Sequence, residues 1–147
     1  MKPLLEGKAL FDLLPQKPPM TMVHRLLEAN EQLAVSEFTV LPENPFLENN
    51  SLALPGLIEN IAQTVAARSG YLFSKEAKDN QEFSNPPIGF IGAITKLYFH
   101  QAPPLGSTIR TTIKIEAELS EVSLIAGESY LNDQLLASCS MKVFLRK

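Results

Sequence analysis

The chain is 147 residues long, with a formal net charge of −3, a mean hydropathy near zero, one cysteine and two histidines. That size supports a single domain with its own hydrophobic core, and the acidic balance argues against nucleic acid or an anionic membrane surface as the main partner. Lone Cys139 excludes an internal disulfide and fits a reducing, cytoplasmic setting, while His24, His100 and Cys139 are too few for metal-ligand spacing, so no metal and no cofactor is expected.

The opening segment MKPLLEGKALFDLLPQK has no long apolar run, so neither a signal peptide nor a membrane span is expected. Leu10–Leu14 predicts a short helical turn ended by Pro15, and Pro18-Pro19 hold the next loop extended. Met20–Leu27 and Leu33–Leu41 predict two strands joined by a turn near Asn30. Pro42–Leu54 fits neither periodicity. A helix is then predicted from about Leu57 to Phe73 on the stripe Ile58, Ile61, Ala62, Val65 and Ala66. Small Ala67 and Gly70 suit a helix gripped by a sheet, and polar Lys75–Pro87 reads as a surface loop.

Beyond Ile88 the pattern is all strand. Ile109, Thr111, Ile113, Ile115 and Ala117 alternate with Arg110, Thr112, Lys114, Glu116 and Glu118, a half-buried period of two. Val122–Leu131 and Leu135–Leu145 follow, with Asn132-Asp133 as the hairpin turn. The order predicts an α+β domain, one long helix wrapped by a curved antiparallel sheet of about six strands. Ile113–Leu119 or Leu135–Leu145 would be hazardous as an uncovered edge, which points to a homodimer as the minimal unit. Cys139 alternates with Ala137 and Met141 and so belongs to the core rather than to nucleophilic chemistry.

Glu43–Gly70 carries the most chemistry. Glu59 sits on the first helical turn among Leu57, Ile58, Ile61, Ala62 and Val65, where a carboxylate is costly to desolvate. Either it is an exposed acid favoured by the helix dipole, or it is a general acid or base, mostly shielded from water, on a buried helix.

Three motifs in chain order resemble the hot-dog-fold 3-hydroxyacyl-[acyl-carrier-protein] dehydratases. They are LLPQKPPMTMVHRLLE (13–28), Pro55-Gly56 followed by Glu59–Gln63, and GFIGAITKLYFHQAPPLGSTIR (89–110). The spelling PFLEN…GLIENIAQTVAA looks closest to the dehydratase-like members of aryl-polyene and related pigment clusters. The resemblance implies a hot-dog fold whose protomers join edge to edge, and a 3-hydroxyacyl thioester substrate on a carrier-protein arm. It also implies a site between protomers, where a loop histidine from one faces the helix glutamate of the other. On that pattern Glu59 is the helix acid, Gln63 its companion glutamine, Gly56 the source of an N–H that polarises the thioester carbonyl, and Phe90 a border of the acyl tunnel.

The chain departs from that pattern at both of its histidines. The loop histidine falls at or beside Asn44, which cannot take a proton near neutral pH, and the histidine of the opening motif is Gln16. One reading is a dehydratase-like protein that acts on acyl-carrier-protein or coenzyme A thioesters in fatty-acid or polyene biosynthesis, reached by His24 or His100. A second is a thioesterase in which Glu59 activates water oriented by Asn44 or Gln63. A third is a non-catalytic acyl-binding subunit, paired as a heterodimer with an active homologue that supplies the histidine. Arg68, Lys75 and Lys78 are candidates for docking an acidic carrier protein, although charges near a helix end more often face solvent; Lys96 and Arg110 read as strand residues facing solvent.

Overall fold

The computed structural model describes residues 2–80 and 88–146. In chain order its elements are β1 (Leu5–Glu6), α1 (Lys8–Phe11), β2 (Arg25–Ala29), β3 (Leu33–Thr39), β4 (Leu47–Glu48), β5 (Ser51–Leu52), α2 (Leu54–Asn80), β6 (Ile88–Phe99), β7 (Thr108–Leu119), β8 (Val122–Leu131) and β9 (Gln134–Arg146). Seven strands form one antiparallel sheet in the order β1-β2-β3-β7-β8-β9-β6, and β4 and β5 pair separately. Helix α2 packs against β2, β3, β6, β7 and β8. This is the expected hot-dog arrangement: the six anticipated strands plus two-residue β1.

The alternation in β7 decides which face meets the helix. Ile109, Thr111 and Ile113 are buried, whereas Arg110 and Lys114 are exposed. On β8 the close approach of helix to sheet is made possible by a strand glycine. A Cβ on Gly127 would lie 2.6 Å from Ile61 Cγ2, so any side chain there would push α2 off β8. Gly70, expected to meet the sheet, instead faces Leu13, whose Cβ would lie 3.1 Å from a Cβ built on it.

The core has two apolar lobes, one around Ile61, Val65, Ile113 and Ile125, the other around Met22, Phe38, Leu57 and Ile109. Between them runs a polar layer. Ser36, Thr111 and Ser129 stand in register on β3, β7 and β8, all buried, and face Asn60 and Thr64 of α2. Thr111 donates to Asn60 Oδ1 and shares a 2.9 Å hydrogen bond with Ser129, while Ser36 and Thr64 share one of 2.7 Å. Thr64 donates to the Asn60 carbonyl at 2.7 Å. Each hydroxyl therefore has a partner, as a layer this deeply buried requires.

Several expectations need correction. Interior strands β7 and β9 include Ile113–Leu119 and Leu135–Leu145, so these are not edges; the edges are β1 and β6. Helix α2 spans 27 residues from Leu54, longer than Leu57–Phe73 at both ends. Pro55 is accommodated because the first turn needs no N–H from it, and the polar stretch after Phe73 contains no helix breaker before Asn80. The expected surface loop is thus helix up to Asn80, and its remainder, 81–87, lies outside the described residues. Segment Met20–Val23 is not strand because its backbone is tied to α2: Gln63 and Asn60 bond the Met20 carbonyl and both polar groups of Met22. The region 42–54 contains the short β4–β5 ribbon, turned by Asn49 and Asn50 at positive φ.

Candidate functional site

Glu59 projects from the second turn of α2 into a hollow of about 190 Å³ shared with Pro15, Gln16, Ala62, Ala66, Phe90 and Ile91. Two of the residues marked in the sequence, Glu59 and Phe90, therefore meet here. Glu59 is half-buried rather than mostly shielded, because its hollow opens beside edge strand β6. Its Oε2 accepts a 3.2 Å hydrogen bond from Gln63 Nε2. Gln63 is buried and held at two further points: its Oε1 accepts Met22 N–H at 2.7 Å, and its Nε2 donates to the Met20 carbonyl at 2.9 Å. With its amide saturated by protein groups, Gln63 orients the carboxylate and ties α2 to the loop rather than presenting itself to a ligand.

Asn44 lies elsewhere. It lines a second pocket, of about 300 Å³, together with Phe11, Pro18, Pro19, His24, Phe38 and Leu41. Asn44 is buried; its Oδ1 accepts Phe46 N–H at 2.8 Å and its amide nitrogen approaches Met22 Sδ at 3.2 Å. His24 enters this pocket with its ring against Phe38, centroids 5.4 Å apart, and its Nδ1 accepts Thr39 N–H at 3.0 Å. Burial, with help from the neighbouring Arg25 charge and against the pull of Glu43, lowers the His24 pKa from its ordinary value. His100 is exposed, its N–H bonded to the Leu136 carbonyl beyond the end of β6.

Gly56 does not offer the free amide expected of it. Its N–H donates to the Ala53 carbonyl at 2.9 Å, and a Cβ there would lie 2.5 Å from Leu52 Cδ1. Close packing of β5 under the helix start explains the glycine. Arg68 is likewise buried rather than available for docking: its guanidinium bonds the carbonyls of Asn30 and Glu31 at 2.7 and 3.1 Å and meets Glu118 at 3.2 Å, closing the β2–β3 turn. Lys75 and Lys96 are exposed, Arg110 pairs with Glu37 at 3.0 Å on the outer face, and the Lys78 side chain lies outside the described residues. Burial also pushes the Cys139 thiol up, consistent with packing rather than reactivity.

Two kinds of site residue escaped the sequence reading. Asn60 and Thr64, one turn apart beside the apolar stripe, hold the helix that carries Glu59; their polarity at core spacing was the available signal. Gln16 shares the Glu59 hollow, and its Oε1 is buried without a protein partner among the described residues. Its place directly after Leu-Leu-Pro marked it only as a missing histidine.

Comparison with known proteins agrees with this architecture. The family model described as ApeP-like, ApeP dehydratase, matches residues 8–147. Among curated proteins, the 3-hydroxyacyl-[acyl-carrier-protein] dehydratase FabZ of Legionella pneumophila strain Philadelphia 1 is 23% identical over 96% of this chain and 94% of its own length. Among solved structures, the dehydratase heterocomplex ApeI:P from Xenorhabdus doucetiae superposes with a TM-score of 0.81 at 17% identity, covering 97% of this chain and 92% of that one. A hypothetical thioesterase with coenzyme A from Streptococcus pneumoniae TIGR4 gives a TM-score of 0.62 at 8% identity, covering 83% and 87%.

Proposed function

Since the chain belongs to the ApeP-like dehydratase family, we propose that it binds 3-hydroxyacyl thioesters and contributes Glu59 to a dehydration site completed by a second chain across β6. The observation that carries this reading is the placement of Glu59, fixed by Gln63 in a hollow that opens beside the unpaired edge strand. Asn44, at or beside the position that the resemblance gives the loop histidine, lines a different pocket of the same chain, so the loop and the acid would come together by association rather than within one fold. A homologous subunit that carries a loop histidine is the partner best suited to this half-site, as the heterocomplex of the related structure suggests. The substrate arm is that of a carrier protein or coenzyme A, and buried, unpaired Cys139 fits a cytoplasmic setting.

In the reaction a proton leaves C2, its electron pair forms the C2–C3 double bond, and the C3 hydroxyl departs as water. Glu59 exchanges the proton, a contribution typically worth about 10²–10⁴-fold in rate. Gln63 holds the carboxylate at the angle the transfer needs. The same carboxylate, held by Gln63, could instead activate water by itself, and a thioesterase is the second reading on that ground. Incubating a 3-hydroxyacyl carrier-protein thioester with the protein, alone and with a dehydratase homologue, separates the two by product mass. The expected product is the enoyl thioester, lost with Glu59→Gln. Free acid would favour hydrolysis, and unchanged substrate in every mixture would refute both.

A further inference from the structure

Dehydration builds negative charge on the thioester carbonyl oxygen, which shares the electron pair left at C2 before the double bond forms. A hydrogen-bond donor aimed at that oxygen therefore acts most strongly in the transition state. The carbonyl carbon is bonded to C2, so a donor from this chain has to stand in the hollow that holds Glu59. Gly56, expected to supply it, has its N–H bonded to the Ala53 carbonyl, and the Gln63 amide is taken up by Met20, Met22 and Glu59. Gln16 is the one other polar residue lining the hollow; its neighbours there are prolines, alanines, glycine and larger apolar residues. Among the described residues the Gln16 carboxamide takes part in no hydrogen bond, and its Oε1 is buried without a partner. No protein contact therefore accounts for an amide at this place, where an apolar side chain would avoid the cost of an unpaired oxygen. The segment that carries it is fixed on both sides. Leu14 is buried, Lys17 Nζ donates to the carbonyls of Phe11 and Leu14 at 3.0 and 3.1 Å, and the Met20 carbonyl is tied to Gln63.

We propose that Gln16 is the carbonyl donor of the site, its Nε2–H bonding the thioester oxygen while Glu59 acts at C2. The proposal rests on the acyl-thioester reading above. As the C2 proton leaves, its electron pair moves onto the carbonyl oxygen that Gln16 holds. The pair then returns to form the C2–C3 double bond, and the C3 hydroxyl takes up a proton and departs as water. Gln16 itself exchanges no proton. An uncharged donor suits the place, since a lysine there would hold the Glu59 carboxylate in an ion pair.

The test follows both turnover and the carbonyl, in the protein combined with a dehydratase homologue. Gln16→Met keeps the length of the side chain and removes the donor. With a 3-hydroxyhexanoyl carrier-protein thioester it should lower kcat about 100-fold, the scale of one lost oxyanion donor. KM should change less than about threefold, because the ground-state carbonyl carries little of that charge. Gln16→His returns an N–H at similar reach and should recover most of the rate; thermal unfolding checks that both variants are folded. The second readout is the infrared C=O stretch of bound hexanoyl-pantetheine, ¹³C-labelled at the carbonyl and lacking a 3-hydroxyl. It should move to lower frequency in the wild-type protein and return towards the free-ligand position in Gln16→Met. An unshifted stretch in the wild-type protein, which needs no variant to observe, would overturn the role of Gln16 and leave the acyl-thioester reading intact. Wild-type kcat in Gln16→Met would do the same. Neither binding nor turnover by the wild-type protein would overturn both.

Discussion

The two edges of the sheet are built in opposite ways. Strand β1 has two residues, and exposed Glu6 is one of them. Strand β6 has twelve, exposes Phe90, Ile91, Leu97, Tyr98 and Phe99, and carries Lys96 as its one charge. On neighbouring β9, Phe144 extends this surface: it is 42% exposed, and a Cβ on Gly92 would overlap its ring, so the glycine leaves room for the aromatic. Short, charged edges are how single chains avoid pairing, whereas long apolar ones invite it. The contrast teaches that, of the two edges, only β6, beside which the Glu59 hollow opens, is built to take the second chain proposed above.

The strongest way to break that contrast is to charge β6. Ile91→Lys with Tyr98→Lys should weaken self-association or pairing with a homologue by at least about 100-fold, or about 2.7 kcal/mol, measured by sedimentation. Glu6→Lys on β1 should leave the association unchanged. Equal effects at both edges would remove the asymmetry.

A second experiment addresses the polar layer beneath both halves of the sheet. Asn60→Ala would leave the Thr111 hydroxyl short of an acceptor and the Met22 carbonyl short of a donor, both buried. The expected loss is about 2–3 kcal/mol of stability, read from urea unfolding. A loss below about 0.5 kcal/mol would mean that the layer relaxes without cost.

The smallest expected effect concerns pH and the side of the molecule away from β6. His24 has a lowered pKa in the folded chain, chiefly from burial. As pH falls below about 6.5, the unfolded chain takes up a proton that the folded chain refuses, so stability declines until the folded pKa is reached. The slope is at most about 1.4 kcal/mol per pH unit. His24→Asn should flatten this part of the profile, as followed by thermal unfolding; an unchanged slope would assign it to other groups.

Strand alternation, the hairpin at Asn132-Asp133 and the position of Glu59 were legible because each depends on local periodicity or turn chemistry. The identity of the edges was not. Leu135–Leu145, like Phe90–Phe99, carries a single charge, and only the pairing of β9 with both β8 and β6 shows that it is covered. Residues whose sequence patterns suggest solvent, such as Arg68, or ligand, such as Gly56, turned out to serve turns and packing through partners remote in sequence or hidden in the tertiary fold. Gln63 was found for its spacing from Glu59, but its bonds to Met20 and Met22, 43 and 41 residues away, are a tertiary fact. The three-strand row of Ser36, Thr111 and Ser129 likewise becomes visible only once register is known.

The central claim, that a second chain completes the Glu59 site across β6, is tested most directly by amide hydrogen exchange over Gly89–Phe99 in the native assembly. Pairing with another strand predicts slow exchange at the outward-facing amides of β6, those not bonded to β9, and loss of that protection in the Ile91→Lys, Tyr98→Lys variant. Rapid exchange of those amides in the wild-type protein, under conditions where it acts on thioesters, would contradict the account.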